Sequence, residues 1–158
     1  MHKFLQKAMD YCQVHEYDES IDYHLCSIIV RGGKILSIGY NSHDINGFVE
    51  FYTKIGKEND RDYCSTTHAE QNAVLKARGK IDLQGCDIYV VRRKWKDATY
   101  GIARPCRICR RVLHAYGIRR AFYSVDDNTY NVMKVISPKE DDSGTTTDRI
   151  ILSNEKHL

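Results

Sequence analysis

The sequence predicts an α/β domain in which a mixed β-sheet is flanked by helices. Three observations predict this class. The chain has 158 residues, of which 42% are hydrophobic, so it is long enough to bury a core. Some segments place apolar residues at helical spacing, whereas others are short β-branched runs bounded by glycine or polar residues. These segments follow one another as helix, strand, strand, helix, strand, helix and strand, an order typical of a sheet packed between helices.

The first predicted elements are a helix and a hairpin. Apolar residues at helical spacing predict an amphipathic helix over residues 3–15. Two apolar runs, 24–30 and 35–40, surround a Gly-Gly turn at 31–34 and predict a β-hairpin. Residues 41–67 are polar and show no period, and a loop of that length in a compact domain is usually functional or mobile.

Helices and strands alternate in the second half of the chain. Alanine and leucine at helical spacing predict a helix over 68–78, and a buried type of strand follows at 86–91. Residues 92–104 are predicted to be a basic loop. The next helix covers 105–116, because it begins at a proline and ends before a glycine, and the next strand covers 119–125.

The pattern becomes ambiguous beyond residue 126. Residues 132–136 favour a strand, and residues 141–158 are interpreted as a loose tail. No linker, repeat or low-complexity tract divides the chain. We therefore expect one domain over residues 1–158.

Composition argues against a membrane protein and predicts a cytoplasmic location. No apolar run approaches the roughly 20 residues that a membrane span needs. The first seven residues are too polar for the core of a signal peptide, so we expect an intracellular protein without membrane contact. In a reducing compartment the six cysteines favour metal ligation or burial over disulfides. Cys12, Cys26 and Cys86 lie in apolar segments and are predicted to be core residues.

Positive charge is concentrated in residues 92–120. This segment holds ten lysine and arginine residues against one acid, Asp97. Such asymmetry points to an anionic partner, from a single phosphate to a nucleic acid, although a solvated charged face would give the same pattern.

Two short motifs, each at a predicted helix start, hold the residues with metal chemistry. These are His68-Ala69-Glu70 and Pro105-Cys106-Arg107-Ile108-Cys109. The i, i+3 spacing allows both cysteine sulfurs to face one point, and the helix N-terminus favours the thiolate that binds metal. One histidine and two cysteines suit Zn²⁺ and leave a fourth position for water. Cys64 is a candidate for a fourth protein ligand, which would make the site structural.

Glu70 is predicted to be the catalytic acid and base. It lies two residues from His68, a spacing at which neighbouring side chains do not share a helix face. A carboxylate there is better placed to meet a bound water than to join the ligands, and it can take a proton and return it to a leaving group.

The two motifs together resemble those of the zinc-dependent cytidine and deoxycytidylate deaminase superfamily, whose signature is H-x-E followed by P-C-x-x-C. The resemblance extends to residues 35–41 and covers roughly residues 20–125. It implies an α/β fold, a three-layer α-β-α sandwich with a five-stranded mixed sheet, and zinc between two helix N-termini. It also implies that His68, Cys106 and Cys109 bind the metal and that Glu70 moves the proton.

The resemblance also implies substrate contacts. Asn41 matches an asparagine that contacts the sugar, and backbone around Ala69 would meet the base carbonyl. Tyr123 and Trp95 are further candidates, because their rings could stack on a base. The resemblance leaves the substrate open, since Arg104 stands before Pro105 where many polynucleotide deaminases have serine.

Three classes of function fit these observations. The first is a hydrolytic deaminase that converts cytosine to uracil in a free nucleoside or nucleotide. The second is a cytosine deaminase acting on single-stranded DNA or RNA, with the segment 92–120 as a phosphate track; a tRNA adenosine deaminase is a weaker variant. The third is a zinc-stabilised binding module without catalysis, which an intact Glu70 disfavours. The resemblance also implies assembly into a homo-oligomer, because many family members assemble through helix faces.

Overall fold

The structure is a computed structural model. It describes residues 1–44, 51, 66–94, 96–144 and 148–152, with only the backbone of 149–152. The helices are α1 (Lys3–Val14), α2 (Ala69–Ala77), α3 (Arg107–Ala115) and α4 (Pro138–Asp142). The strands are β1 (Tyr23–Arg31), β2 (Lys34–Tyr40), β3 (Asp87–Lys94), β4 (Tyr100–Gly101), β5 (Arg120–Ser124), β6 (Thr129–Lys134) and β7 (Arg149–Leu152).

The strands form one mixed sheet in the order β2-β1-β3-β5-β6-β7, and β4 pairs with β3 beside this path. Only the β3–β5 pair is parallel; the other pairs in the described part of the chain are antiparallel. The parallel pair follows from the connection through α3, since a crossover is needed to bring the next strand back in the same direction. The predicted mixed sheet is confirmed.

Two short strands extend the predicted set of five. Strand β4 has two residues and lies in the segment predicted as a basic loop, while β7 has four residues and lies in the segment predicted as a loose tail. Helix α4 also orders part of that tail. Segments this short show too little periodicity to be recognised from sequence, and pairing with a longer neighbour forms them.

Helices cover both faces of the sheet and make the predicted three layers. Alternation along β1 separates two clusters: Cys26, Ile28 and Val30 pack with α1, whereas Ile29 packs on the other face with residues of α2 and α3. The predicted burial of the cysteines is also confirmed, because Cys12, Cys26 and Cys86 are all fully buried. No helix in the described ranges is long and apolar enough to cross a membrane.

Helix α2 lies unusually close to strand β2. A Cβ atom at Gly39 would clash with backbone atoms of Ala69 and Ala73, so glycine permits this approach. Two buried hydroxyls hold the helix there: Ser27 Oγ donates to the Ala69 carbonyl at 2.7 Å, and Ser37 Oγ donates to the Ala73 carbonyl at 2.7 Å. The N-terminus of α2 is therefore fixed against the sheet.

Candidate metal centre and active site

The two predicted motifs meet at the N-termini of α2 and α3. His68 is the N-cap residue of α2 and Cys106 is the N-cap residue of α3, and both have extended backbone. Cys109 follows in the first turn of α3, where its N–H donates to the Cys106 sulfur at 3.5 Å. The three side chains thus come from two helix starts separated by β3.

The distances between these side chains suit a tetrahedral metal. His68 Nδ1 lies 3.5 Å from Cys106 Sγ and 3.4 Å from Cys109 Sγ, and the three ligand atoms all lie within 4.8 Å of one another. Zinc bonds of about 2.0–2.3 Å in tetrahedral directions separate ligand atoms by roughly 3.3–3.8 Å. One nitrogen and two sulfurs are also a donor set that zinc prefers. The residues therefore fit zinc.

The cluster has three members among the residues that the structure describes. Cys64, the candidate for a fourth ligand, lies outside them. The open fourth position stays a prediction.

Charge inside the cluster favours a bound cation. Burial opposes ionisation of His68, but a hydrogen bond to Cys106 and the charges of Cys106 and Glu70 outweigh it and raise the histidine pKa to about 9. The surroundings therefore stabilise positive charge at this position. A metal ion would satisfy the same electrostatic demand when it displaces the proton.

Glu70 lies beside the cluster and is almost completely buried, with 3% of its surface exposed. Burial raises the pKa of its carboxyl group, although the charge of His68 partly opposes the change. Its Oε1 atom has no hydrogen-bond partner among the described residues. An unpartnered buried oxygen is costly to leave unpaired, so this atom is suited to bind a water or a substrate group.

A cavity of about 470 Å³ opens over the cluster. This volume lies in the range of small-molecule sites. Its wall includes ligand residues and several polar side chains from other elements, among them Asn41, His68, Glu70, Arg92, Arg104 and Cys106. The cluster and the buried carboxylate are thus accessible to a small molecule.

Asn41 and Ala69, the two predicted contacts to sugar and base, both make internal hydrogen bonds. Asn41 lines the cavity, and its side-chain amide donates to the Tyr23 carbonyl and accepts from the Leu25 N–H, each at 2.8 Å. Ala69 is fully buried and its carbonyl accepts from Ser27. Their contacts with sugar and base stay predictions.

Tyr123, one of the two predicted stacking rings, is not among the described residues of the cavity wall. Tyr123 is 1% exposed and packs in the core beneath α2 and α3. Its hydroxyl bonds to Asp148 and Asn131 rather than facing open space. Trp95 lies outside the described residues.

Sequence reasoning did not single out Arg92 and Arg104 as residues of the cavity. Arg104 precedes Pro105, so its proximity to Cys106 in the chain was a usable signal. Its partner Asp148 gave no such signal, because 44 residues separate the two.

Most of the basic segment is neutralised by acids from elsewhere in the chain. Among the described residues, six of its ten cations are ion-paired, and the pairs are Arg104–Asp148, Arg107–Asp142, Arg110–Asp141, Arg111–Asp142, Arg119–Asp87 and Arg120–Asp87. The partners lie in α4, next to β7 and at the start of β3. A continuous phosphate track over 92–120 is therefore not what the folded surface offers.

Comparison with known proteins agrees with the site. The family model described as the cytidine and deoxycytidylate deaminase zinc-binding region matches residues 1–125. A protein of Aliivibrio fischeri, described as an uncharacterized deaminase in the luxG 3′ region, is 30% identical over 98 residues, which are 61% of this chain and 54% of that protein. The chain thus spans about half the length of this curated relative.

Two solved structures are also similar. The dCMP deaminase of cyanophage S-TIM5, in complex with dCMP and dUMP, is 21% identical with a TM-score of 0.48 and covers 76% of each chain. The cytidine deaminase of Burkholderia pseudomallei is 16% identical with a TM-score of 0.48, covering 97% of this chain and 93% of that one. The family model, in contrast, matches most of the chain and includes both motifs, and on that match the chain belongs to the cytidine and deoxycytidylate deaminase family.

Proposed function

We propose that the protein is a zinc-dependent hydrolytic deaminase that converts cytosine to uracil in a free nucleoside or nucleotide. One observation carries this proposal: a histidine–cysteine–cysteine cluster lies beside a buried carboxylate with an unpartnered oxygen, and both open into one cavity. A structural metal site would have no use for such a carboxylate or for the open volume.

His68, Cys106 and Cys109 would hold the zinc ion. When bound, zinc lowers the pKa of a coordinated water and so supplies a nucleophile at neutral pH. The N-termini of α2 and α3 stabilise the thiolates electrostatically, since each contributes partial positive charge at the ligands. Ser27 and Gly39 act further out by fixing α2 against the sheet.

Glu70 would move the proton. Its Oε1 has no hydrogen-bond partner in the described part of the chain, so it can accept a proton from water and later donate it to the amino group that leaves as ammonia. The reaction is balanced, because water supplies the new carbonyl oxygen of uracil, one hydrogen that ends on ring N3 and one hydrogen that completes ammonia.

Asn41 and the backbone at Ala69 are the proposed contacts to sugar and base. Asn41 is rigid because both ends of its amide are bonded to β1, and a fixed side chain can position a ligand without losing entropy. Action on single-stranded nucleic acid is the alternative, but it needs several free cations and most of those in segment 92–120 are paired. Homo-oligomer formation and a cytoplasmic location stay predictions.

The test is an assay of the zinc-loaded full chain on cytidine, deoxycytidine, their 5′-monophosphates and a cytosine oligonucleotide. We expect turnover of at least one monomer. Glu70→Gln should keep one zinc per chain and lose turnover by about 10²–10⁴-fold, because the amide cannot carry the proton. Full activity of this variant would refute the proposed role. Activity on the oligonucleotide alone, falling steeply with salt, would establish the alternative.

A further inference from the structure

A chain of hydrogen bonds connects the core to the cavity wall and ends on Arg104. It begins at Asn131, whose Nδ2 donates to the Tyr123 hydroxyl at 3.0 Å. The Tyr123 hydroxyl donates in turn to the carboxylate of Asp148. Arg104 donates to the same carboxylate twice, from Nε at 2.9 Å and from Nη2 at 3.1 Å. The position of the guanidinium is thus determined by residues of β5, β6 and the segment before β7.

This arrangement orders a side chain that would otherwise be mobile. The Arg104 side chain is 35% exposed, whereas the side chain of Asp148 is 15% exposed and Tyr123 is 1% exposed. A free arginine at a cavity rim samples many rotamers, and ordering it costs conformational entropy. Here the two parallel bonds to Asp148 fix the plane of the guanidinium in advance. A ligand that binds the ordered guanidinium therefore does not lose binding free energy to the ordering of the arginine side chain.

The bonds to Asp148 leave part of the guanidinium available. Arginine has five N–H donors, and the hydrogen bonds of Arg104 use only Nε and one N–H of Nη2. Its Nη1 has no partner among the described residues. Through the edge formed by Nη1 and Nη2, arginine can make bidentate hydrogen bonds to carboxylate or phosphate anions. Arg104 lines the same cavity as Glu70, so the residue belongs to the candidate active site.

A second guanidinium lines the same cavity. Arg92 stacks over the Tyr23 ring at 3.8 Å from the ring centre, and its Nη1 donates to the Ile102 carbonyl at 3.5 Å. The wall also holds the carboxylates of Asp22 and Glu70, so the two arginines offer directed N–H donors for a group with negative charge rather than a net positive cavity. In a cytosine nucleotide that group is the phosphate monoester.

We propose that Arg104 is a specificity-determining residue that binds the phosphate of a cytosine nucleoside monophosphate, and that Asp148 and Tyr123 position it. This inference rests on the proposed function and narrows it to nucleotides. Tyr123, which the sequence suggested as a stacking ring, then acts through Asp148 and touches no substrate. Asp148 fixes the orientation of the Arg104 guanidinium and offsets part of its positive charge. Recognition of the phosphate therefore depends more on directed N–H donors than on net charge.

The test compares CMP and dCMP with cytidine and deoxycytidine on the zinc-loaded full chain. Arg104→Gln should lower kcat/KM for the monophosphates at least about tenfold, mainly through KM, and change the nucleosides less than about twofold. Asp148→Asn should raise KM for the monophosphates severalfold. Tyr123→Phe should raise it less, with kcat unchanged. Arg119→Gln is the matched control, since it breaks another arginine–aspartate pair outside the cavity. It should change kcat/KM neither for the monophosphates nor for the nucleosides.

Binding measurements separate this inference from the proposed function. Calorimetry with CMP and cytidine should show tighter binding of CMP to the wild type, and Arg104→Gln should remove that preference. This preference without turnover of any cytosine compound would keep the inference and refute the deaminase. Equal binding of CMP and cytidine by the wild type would overturn the inference, as would equal losses on nucleosides and nucleotides. Should Arg104→Gln fail to fold, Arg104→Lys replaces it; it keeps the charge and should still lose most of the preference.

Discussion

Helix α3 has a cysteine side and an arginine side, and the two differ in what brings their partners together: local spacing for the first and the tertiary fold for the second. One side holds Cys106 and Cys109 and faces His68 at 3.4–3.5 Å. The other holds arginines that pair with aspartates of α4, such as Arg110 with Asp141 at 3.1 Å. The sulfur side depends on local spacing, because the first helical turn brings both sulfurs together. The arginine side depends on acids about 30 residues away in the chain, so only the fold shows that its charge is neutralised.

Removing one sulfur from the first side should have the largest effect. Cys109→Ser should lose zinc and reduce turnover below about 10⁻⁴ of wild type, since a serine hydroxyl is a poor zinc ligand and the metal supplies the nucleophile. Zinc per chain and initial rates measure this. Cys12→Ser is the control. Cys12 is buried on the opposite face of the sheet, so this variant should keep zinc at the cluster. Retention of zinc and activity by Cys109→Ser would show that the ligand set is different.

A substitution at Gly39 would displace helix α2 while leaving all three candidate metal ligands unchanged, and it tests whether the position of α2 matters for zinc binding. Gly39→Ala should destabilise the protein by about 1–3 kcal/mol, because the added methyl group meets the backbone of Ala69 and Ala73. Chemical denaturation measures the change, and zinc affinity should fall with it since His68 is attached to this helix. Gly85→Ala is a contrasting variant: it has free space but a positive φ of 79°, so it should cost stability without affecting zinc.

Breaking the arginine side should affect stability more than chemistry. Arg110 and Asp141 are largely buried, with 16% and 9% of their side chains exposed, so Arg110→Gln should cost about 1–3 kcal/mol. Arg110 also donates to the Pro105 carbonyl at 2.9 Å, which the shorter glutamine cannot match. Asp141→Asn and the double variant complete a cycle that isolates the pair energy. Loss of zinc from Arg110→Gln would mean that the two sides of α3 are coupled.

The smallest expected effect is on the pH dependence of stability, and it concerns Asp87 at the start of β3. Burial would raise the pKa of Asp87, but hydrogen bonds and charge from Arg120 and Arg119 outweigh it and lower the pKa. The stabilisation is therefore complete above the ordinary aspartate range and is lost as pH falls below about 4 through the lowered value. Asp87→Asn should show a shallower loss of stability in that window, by about 1 kcal/mol or less. Identical pH profiles of unfolding would contradict this.

Much of the site could be predicted from residue types and spacing. His68, Glu70, Cys106 and Cys109 were identified because metal and proton chemistry need these side chains and because both motifs lie at helix starts. The structure groups His68, Cys106 and Cys109 and places Glu70 in the same cavity wall as His68 and Cys106, and their roles stay predictions. The substrate residues were harder, since a ring such as Tyr123 has the same pattern in a core as in a binding site.

The same distinction applies to the fold. Long elements such as α1 and β1 are recognisable because their apolar periods repeat over at least two turns or several residue pairs. Strands β4 and β7 are not, because two and four residues carry no period and form only when a neighbour supplies hydrogen-bond partners.

By itself, the sequence determined the candidate metal motif: Cys106 and Cys109 lie within one helical turn, so local spacing is enough to bring the two sulfurs together. Only the tertiary structure decided which charges remain free. Asp141, Asp142, Asp148 and Asp87 approach the basic segment from distant parts of the chain and pair with six of its arginines. Electrostatic energy depends on separation in space and on burial, neither of which spacing along the chain records. For that reason the pairing of the Arg104 guanidinium with Asp148 at the cavity wall could be recognised only in the folded molecule.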